Sequence, residues 1–370
     1  MTRRVVIVQP YVPTYRVPFF ERLRQVLTSQ GVDCIVAAGV PRGDQAGRGD
    51  SVRPDWLIPI QQKTLTVGRR SVDFSIRPTP WLHTDAVILG LEGSSIPVYQ
   101  CLLMARATGV RVGLWGHVRP YVAPGHPVDL GLETLQMRLA DHIFAYTPGG
   151  AADAVSRGVP EEKVTTVMNT VDTAALQHAC ETTQCTVDRI AFLGGGQRRH
   201  TFSFVGGLDS SKRIAFLADA LDILWGEDPR IRLLVGGAGA ERKLLDPAVK
   251  RGQVVDLGPV DTRRKADALV YSRAILMPGR IGLVAVDALV ARRPILTTDW
   301  PWHAPESEYL VEGVSRLTSA NDPRAYADMV LRIARQAPVD ESASPWEHPT
   351  LDEMTRRYTE GVVALLRGTS

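Results

Sequence analysis

A chain of 370 residues is long enough for two domains, each with its own core. Its composition, 44% hydrophobic and 22% charged, is that of an ordinary globular protein, and a formal charge of +3 is too small to argue for a nucleic-acid partner. No stretch approaches membrane-spanning length, and the apolar run after Thr2-Arg3-Arg4, Val5 to Val8, is too short for the core of a signal peptide. The expectation is a cytoplasmic protein. The cysteines Cys34, Cys101, Cys180 and Cys185 show no CxxC spacing, so neither a zinc site nor a disulfide framework is predicted. Only six of the 43 basic residues are lysines, which makes a lysine in an anion site informative.

Val5 to Val8 predicts a buried strand, Phe19 to Thr28 an amphipathic helix, and Cys34 to Ala38 a second strand. Strand, helix, strand is the opening of a parallel sheet. Ligands of such sheets bind at the carboxyl ends of the strands, so the loop Gln9 to Pro18, with Tyr11, Tyr15 and Arg16, is expected at a site mouth. Gly39 to Arg53 reads as a surface loop. Ala86 to Leu89 and Val110 to Leu114 predict strands around a helix from Ile96 to Ala107. After the second comes Trp115-Gly116-His117, where an imidazole at a strand end can hydrogen-bond a hydroxyl or a phosphate oxygen. Leu132 to Asp141 predicts a helix and His142 to Tyr146 a strand. Thr147-Pro148-Gly149-Gly150 caps the helix Ala151 to Arg157. The strand Val164 to Val167 ends in Met168-Asn169-Thr170-Val171-Asp172, which also reads as a turn.

A helix from Thr173 to Cys180 leads into a polar linker, and a second sheet begins. Ile190 to Leu193 precedes Gly194-Gly195-Gly196, and Phe202 to Val205 precedes Gly206-Gly207-Leu208-Asp209-Ser210-Ser211-Lys212. A helix from Lys212 to Trp225 would bring one ammonium group to an anion. Ile231 to Val235 and Val254 to Leu257 continue the sheet, the latter followed by Gly258-Pro259-Val260. Ala274 to Met277 is another buried strand, Gly279 and Gly282 allow a tight turn, and Leu283 to Val290 is a helix. The first-turn N–H groups of that helix, with Gly279, Arg280, Ile281, Gly282 and Leu283, make a place for phosphate. Asp287, further along, can accept hydrogen bonds from hydroxyls. Ile295 to Thr297 is the next strand, and Trp300 to Leu310 is dense in aromatics, with His303 and Glu306 among them. Met354, Tyr358, Val362 and Leu365 recur at helical spacing in the tail from Thr350 to Leu366.

The stretch from Pro278 to Pro294 resembles the signature of the family 4 glycosyltransferases, which reads Glu-Gly-Phe-Gly-Leu, then Glu-Ala, then Gly-x-Pro-Val. Val205 to Lys212 resembles the family's Val-Gly-Arg-Leu-x-x-x-Lys, and Asn169 to Asp172 its Asn-x-Val-Asp. The resemblance implies an α/β chain of the GT-B fold, two facing Rossmann-like domains with parallel sheets and a crevice between them. It places an acceptor-side domain at 1–180, a nucleotide-sugar domain at 188–349, and a helix over 350–370 that returns to the first domain. It implies a retaining, metal-independent glycosyltransferase that needs no cofactor and moves a sugar from a nucleotide-diphosphate donor to an acceptor hydroxyl. That acceptor is a small molecule or a lipid-linked saccharide, the second requiring peripheral membrane contact.

On this resemblance Lys212 and the loop Gly279 to Leu283 meet the donor diphosphate, Asp287 the ribose, the Val260 loop the base, and His117 the transferred sugar. Tyr11, Tyr15 and Arg16 line the acceptor pocket, and Asn169 and Asp172 brace the interdomain loops. Two positions depart from the family pattern: Gly279 stands for a sugar-contacting glutamate and Gly207 for a diphosphate-clamping arginine. Arg198, Arg199, Arg213 and Arg280 are candidates to replace that arginine. The departures motivate one alternative, a non-catalytic GT-B protein that binds a nucleotide sugar or activates a partner; a GT-B epimerase or phosphorylase is the second enzyme reading.

Overall fold

The computed structural model describes residues 2–41, 49–60, 62–67, 70–75, 84–93, 95–118, 127–183, 197–336 and 346–368, of which 62–67 and 70–75 are described by backbone pairing alone. The strand and glycine turn expected over 190–196 lie outside the described residues, as do parts of the 39–53 loop and of the linker. The chain divides into two compact units, Met1–Val171 with Thr350–Ser370, and Asp172–Pro349.

The first unit runs β1 (Arg3–Gln9), α1 (Val17–Ser29), β2 (Val32–Ala38), β3 (Ile58–Pro59), the antiparallel hairpin of β4 (Gln62–Val67) and β5 (Arg70–Ser75), β6 (Ala86–Gly90), α2 (Ile96–Thr108), β7 (Arg111–Gly116), α3 (Pro127–Leu139), β8 (His142–Ala145), α4 (Pro148–Ser156) and β9 (Val164–Thr166). Its seven-stranded sheet has the order β3-β2-β1-β6-β7-β8-β9, parallel throughout. Both faces of such a sheet are covered, so successive residues of one strand enter different cores. Val5 and Ile7 pack with Phe19, Phe20, Leu23 and Leu27 of α1, whereas Val6 packs with Val98, Leu102 and Met137 of α2 and α3.

The second unit opens with α5 (Thr173–Thr182), which packs on α8 (Thr262–Tyr271) and α9 (Val284–Ala291). Its other elements are β10 (Thr201–Val205), α6 (Ile214–Glu227), β11 (Arg232–Gly236), α7 (Asp246–Lys250), β12 (Val254–Gly258), β13 (Ile275–Leu276), β14 (Ile295–Thr298), β15 (Arg316–Ser319) and α10 (Pro323–Arg335). The sheet order is β12-β11-β10-β13-β14-β15, again parallel. The chain winds outward from β10 to β12 and then crosses to β13. The carboxyl ends of β10 and β13 therefore flank a topological switch point, where open α/β sheets bind ligands.

The last helix, α11 (Leu351–Arg367), returns to the first unit. It buries Met354, Tyr358, Val362 and Leu365 in the core that holds Phe19 and Phe144. Tyr358 stacks on Phe144 (ring centroids 4.6 Å apart) and meets Trp115 edge-on at 5.0 Å. Among the described residues no helix is long and apolar enough to cross a membrane.

Candidate active site

Lys212 follows β10 and the 277–283 loop follows β13, so the two stand side by side at the switch point. The connection after β10 is a short 3-10 turn, Ser210–Lys212, whose N-cap Asp209 accepts the Ser211 N–H at 3.0 Å. Arg213 then takes a left-handed conformation (φ 56°), and the helix begins only at Ile214. Lys212 is thus not the first residue of that helix, as its sequence suggests, because the Asp209 cap tightens the backbone into a separate turn. The Lys212 side chain passes over Gly206 and its Nζ donates to the Arg280 carbonyl.

The same approach explains Gly279. Its backbone lies against that of the 3-10 turn, with Arg280 N–H donating to Ser211 O at 2.8 Å. A Cβ on residue 279 would lie 2.5 Å from the Lys212 carbonyl carbon, 2.6 Å from Ser211 O and 2.7 Å from Lys212 O. All three are backbone atoms, which cannot swing aside, so any side chain at this position would force the two segments apart. Gly207 is less confined, since a Cβ there would meet only the Asp209 carboxylate, at 3.0 Å. The neighbouring loops are also stitched by backbone: Gly206 N–H to Gly236 O, Leu208 N–H to Ala238 O, and Gly237 N–H to Gly258 O. Val260, after β12, covers Gly236 with its two methyl groups.

Helix α9 starts behind the glycine loop with Leu283 as its N-cap, and the N–H groups of such a first turn have no partner within the helix. Ile281 N–H is taken by His303 Nδ1 at 3.2 Å, and Ile281 O accepts Ala304 N–H at 2.7 Å. Burial, then the Arg316 and Lys212 cations, push the His303 pKa down to about 4, so the imidazole is neutral. Glu306 is buried in the following 3-10 turn. Asp287 is 6% exposed and pairs with Lys265 Nζ of α8 at 2.8 Å. Sequence reasoning missed Lys265, because the helix that carries it opens with Arg263 and Arg264 and shows no apolar stripe at its start. The Asp261 cap, which accepts the Arg264 N–H, was the available signal.

The arginine candidates divide by position. Arg198 and Arg199 form a 3-10 turn immediately before β10, at the amino edge of the sheet. A five-residue strand, roughly 17 Å of chain, separates them from the loops at the carboxyl edge. Arg213 donates to Pro278 O (3.3 Å) and Thr298 Oγ1 (3.2 Å) and lies over the Phe216 ring, so it braces the loop. Of the four, only Arg280 lies within the glycine loop itself.

In the first unit, Tyr11, Arg16 and His117 come from the carboxyl ends of β1 and β7, but Tyr11 and Arg16 are buried and Tyr15 alone of the three loop residues is exposed. Arg16, 4% exposed, donates to Asn169 Oδ1 at 2.5 Å and to Met354 Sδ. Its guanidinium lies 5.0 Å from the Trp115 ring centre, 5.3 Å from Tyr15 and 5.7 Å from Tyr146. The expected pocket-lining arginine is thus an internal cross-link. His117 packs on Tyr146, with ring centroids 4.6 Å apart. Asn169 sits in this cluster, whereas Asp172 belongs to the second unit and caps α5 by accepting Ala175 N–H.

Two parallel-sheet, Rossmann-like units with their connecting loops at the carboxyl edges define the GT-B fold. Within it, residues 199–336, nearly the whole second sheet with its helices, match the family described as Glycosyl transferases group 1. Among solved structures the chain is similar to a glycosyltransferase from Rickettsia africae (12% identity, 100% of each chain covered, TM-score 0.67). It is also similar to Anabaena HepE, solved in complex with UDP and glucose (12% identity, 98% of this chain and 100% of that one, TM-score 0.64). The same fold relates it to the UDP-GlcNAc 2-epimerase of Methanocaldococcus jannaschii (14% identity, 92% and 94% covered, TM-score 0.55). No curated protein sequence matches the chain.

Proposed function

We propose that the protein is a retaining glycosyltransferase that moves a sugar from a nucleotide-diphosphate donor to an acceptor hydroxyl. The observation that carries this reading is the meeting of Lys212, the Gly279–Leu283 loop and the start of α9 at the switch point of a group 1 glycosyl transferase domain. One ammonium and the main-chain N–H groups of a helix start there suit a departing diphosphate, whose charge grows as the sugar leaves. In the reading, the departing phosphate also takes the acceptor proton on the same face of the sugar, so no protein nucleophile is used. Lys212 and the loop amides, rather than a metal ion, carry the leaving group's charge. Asp287 is assigned to the ribose, the Val260 loop to the base, and His117, on the first unit, to the transferred sugar. The first unit is assigned to the acceptor, a small molecule or a lipid-linked saccharide, with Tyr15 as its exposed contact.

The test is calorimetric titration of wild type and Lys212→Ala with UDP, GDP, dTDP and their monophosphates, followed by transfer assays on the sugars of the base that binds. Micromolar binding of one diphosphate, weakened tenfold or more in the variant (about 1.4 kcal/mol), is expected. Absence of nucleotide binding to folded protein overturns the reading. Turnover of the nucleotide sugar without any acceptor alcohol would replace it with an epimerase.

A further inference from the structure

Ile281 is gripped through both polar groups of its own backbone. Its N–H donates to His303 Nδ1 and its carbonyl accepts Ala304 N–H, so the segment after β14 pairs with the glycine loop as a one-residue bridge in which an imidazole replaces a carbonyl. The Ile281 side chain is fully buried. One residue earlier, Arg280 N–H is held by Ser211 O from the other side, and its carbonyl accepts Lys212 Nζ. The loop is therefore tied on two flanks immediately before Gly282. The placing of the Gly282, Leu283 and Val284 N–H groups follows from those ties, since only Gly282 and Leu283 separate the last of them from the first helical residue, Val284.

An imidazole can accept at Nδ1 only when that nitrogen carries no proton. His303 meets the condition, because burial and the nearby Arg316 and Lys212 cations keep the ring neutral. The tautomer follows as well: with Nδ1 accepting, the proton resides on Nε2. A side chain that filled the same volume without an acceptor would leave the Ile281 N–H unsatisfied inside the protein, where it would seek another partner and turn the peptide.

We propose that His303 is a positioning residue of the diphosphate site: by accepting the Ile281 N–H it fixes the loop in the shape that presents the Gly282, Leu283 and Val284 amides to phosphate. The inference rests on the reading that this loop receives the donor diphosphate. It assigns to His303 no contact with the donor. Its effect is confined to the phosphates, and the base and ribose are bound independently of it.

The experiment compares His303→Phe, His303→Ala and His303→Asn with wild type by amide hydrogen exchange at Ile281 and by calorimetric titration with the nucleoside diphosphate that binds and with its nucleoside. His303→Phe keeps a ring and removes the acceptor; His303→Asn keeps an acceptor oxygen near the place of Nδ1. In the Phe and Ala variants, Ile281 exchange is expected to accelerate at least tenfold and diphosphate affinity to fall at least tenfold, with nucleoside affinity unchanged. The Asn variant is expected to restore both quantities to within about threefold of wild type, which a purely space-filling role would not produce. Wild-type exchange or wild-type diphosphate affinity in both the Phe and Ala variants overturns the assignment, as does failure of Asn to restore them. If wild type itself binds no diphosphate, the functional reading fails and this inference fails with it; if wild type binds and the variants bind equally, only the role of His303 is lost.

Discussion

Gly279→Ala should destabilise the second unit by about 2–4 kcal/mol. The added methyl group would sit 2.5 Å from the Lys212 carbonyl carbon, against an ordinary contact of 3.4 Å or more, so the two backbone segments must part by 0.9 Å. That opening stretches the 2.8 Å bond between Arg280 N–H and Ser211 O beyond hydrogen-bonding range. One lost bond costs about 1 kcal/mol, and overpacking against atoms that cannot rotate away adds about 1–3 kcal/mol. Gly282→Ala is the control, because a Cβ there meets only the Ala304 methyl at 3.8 Å, and it should change stability by less than about 0.5 kcal/mol. Urea unfolding of both variants, followed by fluorescence and circular dichroism, measures the difference. Equal stability of the two would refute the steric argument, and Gly279 would then have to be explained as the loss of a carboxylate rather than as a rebuilt loop. Gly279→Glu follows Gly279→Ala, since its first side-chain atom already collides.

Lys265→Met should cost about 2 kcal/mol, the range for breaking a buried ion pair discounted because the lysine side chain is 21% exposed; a double-mutant cycle with Asp287→Asn that shows coupling below about 0.5 kcal/mol would argue against it. Arg16→Met should lower the stability of the first unit by about 2 kcal/mol, through loss of the charge-assisted bond to Asn169. Arg16→Lys should recover little of that, since an ammonium cannot stack on three rings as a guanidinium does. Thermal melts and Trp115 emission report both changes, and nucleotide affinity should stay at the wild-type value. Burial, then the Lys163 charge, lower the His142 pKa from 6.5 to about 4, with Thr165 Oγ1 at 2.7 Å from its Nε2. The unfolded chain therefore binds a proton first, so this contribution to stability is complete above pH 6.5 and is lost as pH falls toward 4, by about 3 kcal/mol in all. Urea midpoints between pH 7.5 and 4.5 measure the slope, and His142→Gln should flatten it.

The sheets were legible because parallel strands bury both faces, so Val5 to Val8, Ala86 to Leu89 and Phe202 to Val205 appear as unbroken apolar runs that no surface element imitates. Strand β15 escaped for the converse reason: Arg316 to Ser319 lies at a sheet edge, only partly covered, and carries no such run. Helix α10 was missed although Asp322 caps it and Tyr326, Met329, Val330 and Ile333 recur along one face. The neighbourhood of Lys212 and the glycine loop was legible as motif and order. The reason for Gly279 was not, because it resides in the backbone of Ser211 and Lys212, more than sixty residues away along the chain. Arg16 misled in a related way. Its place after the first strand suggested a pocket, and only the convergence of Trp115, Tyr146, Asn169 and Met354 reveals a buried cross-link.

The return of α11 sets the order in which the protein can be completed during synthesis. Tyr358 and Val362 close the hydrophobic face that Phe19 and Phe144 open, so the first unit lacks part of its interior until the ribosome has passed residue 365. The second unit, by contrast, is continuous in the chain and has all its residues by position 349. The part of the protein made first is therefore finished last, and its aromatic surface stays open to chaperones or to other chains for the time that nearly two hundred residues take to translate.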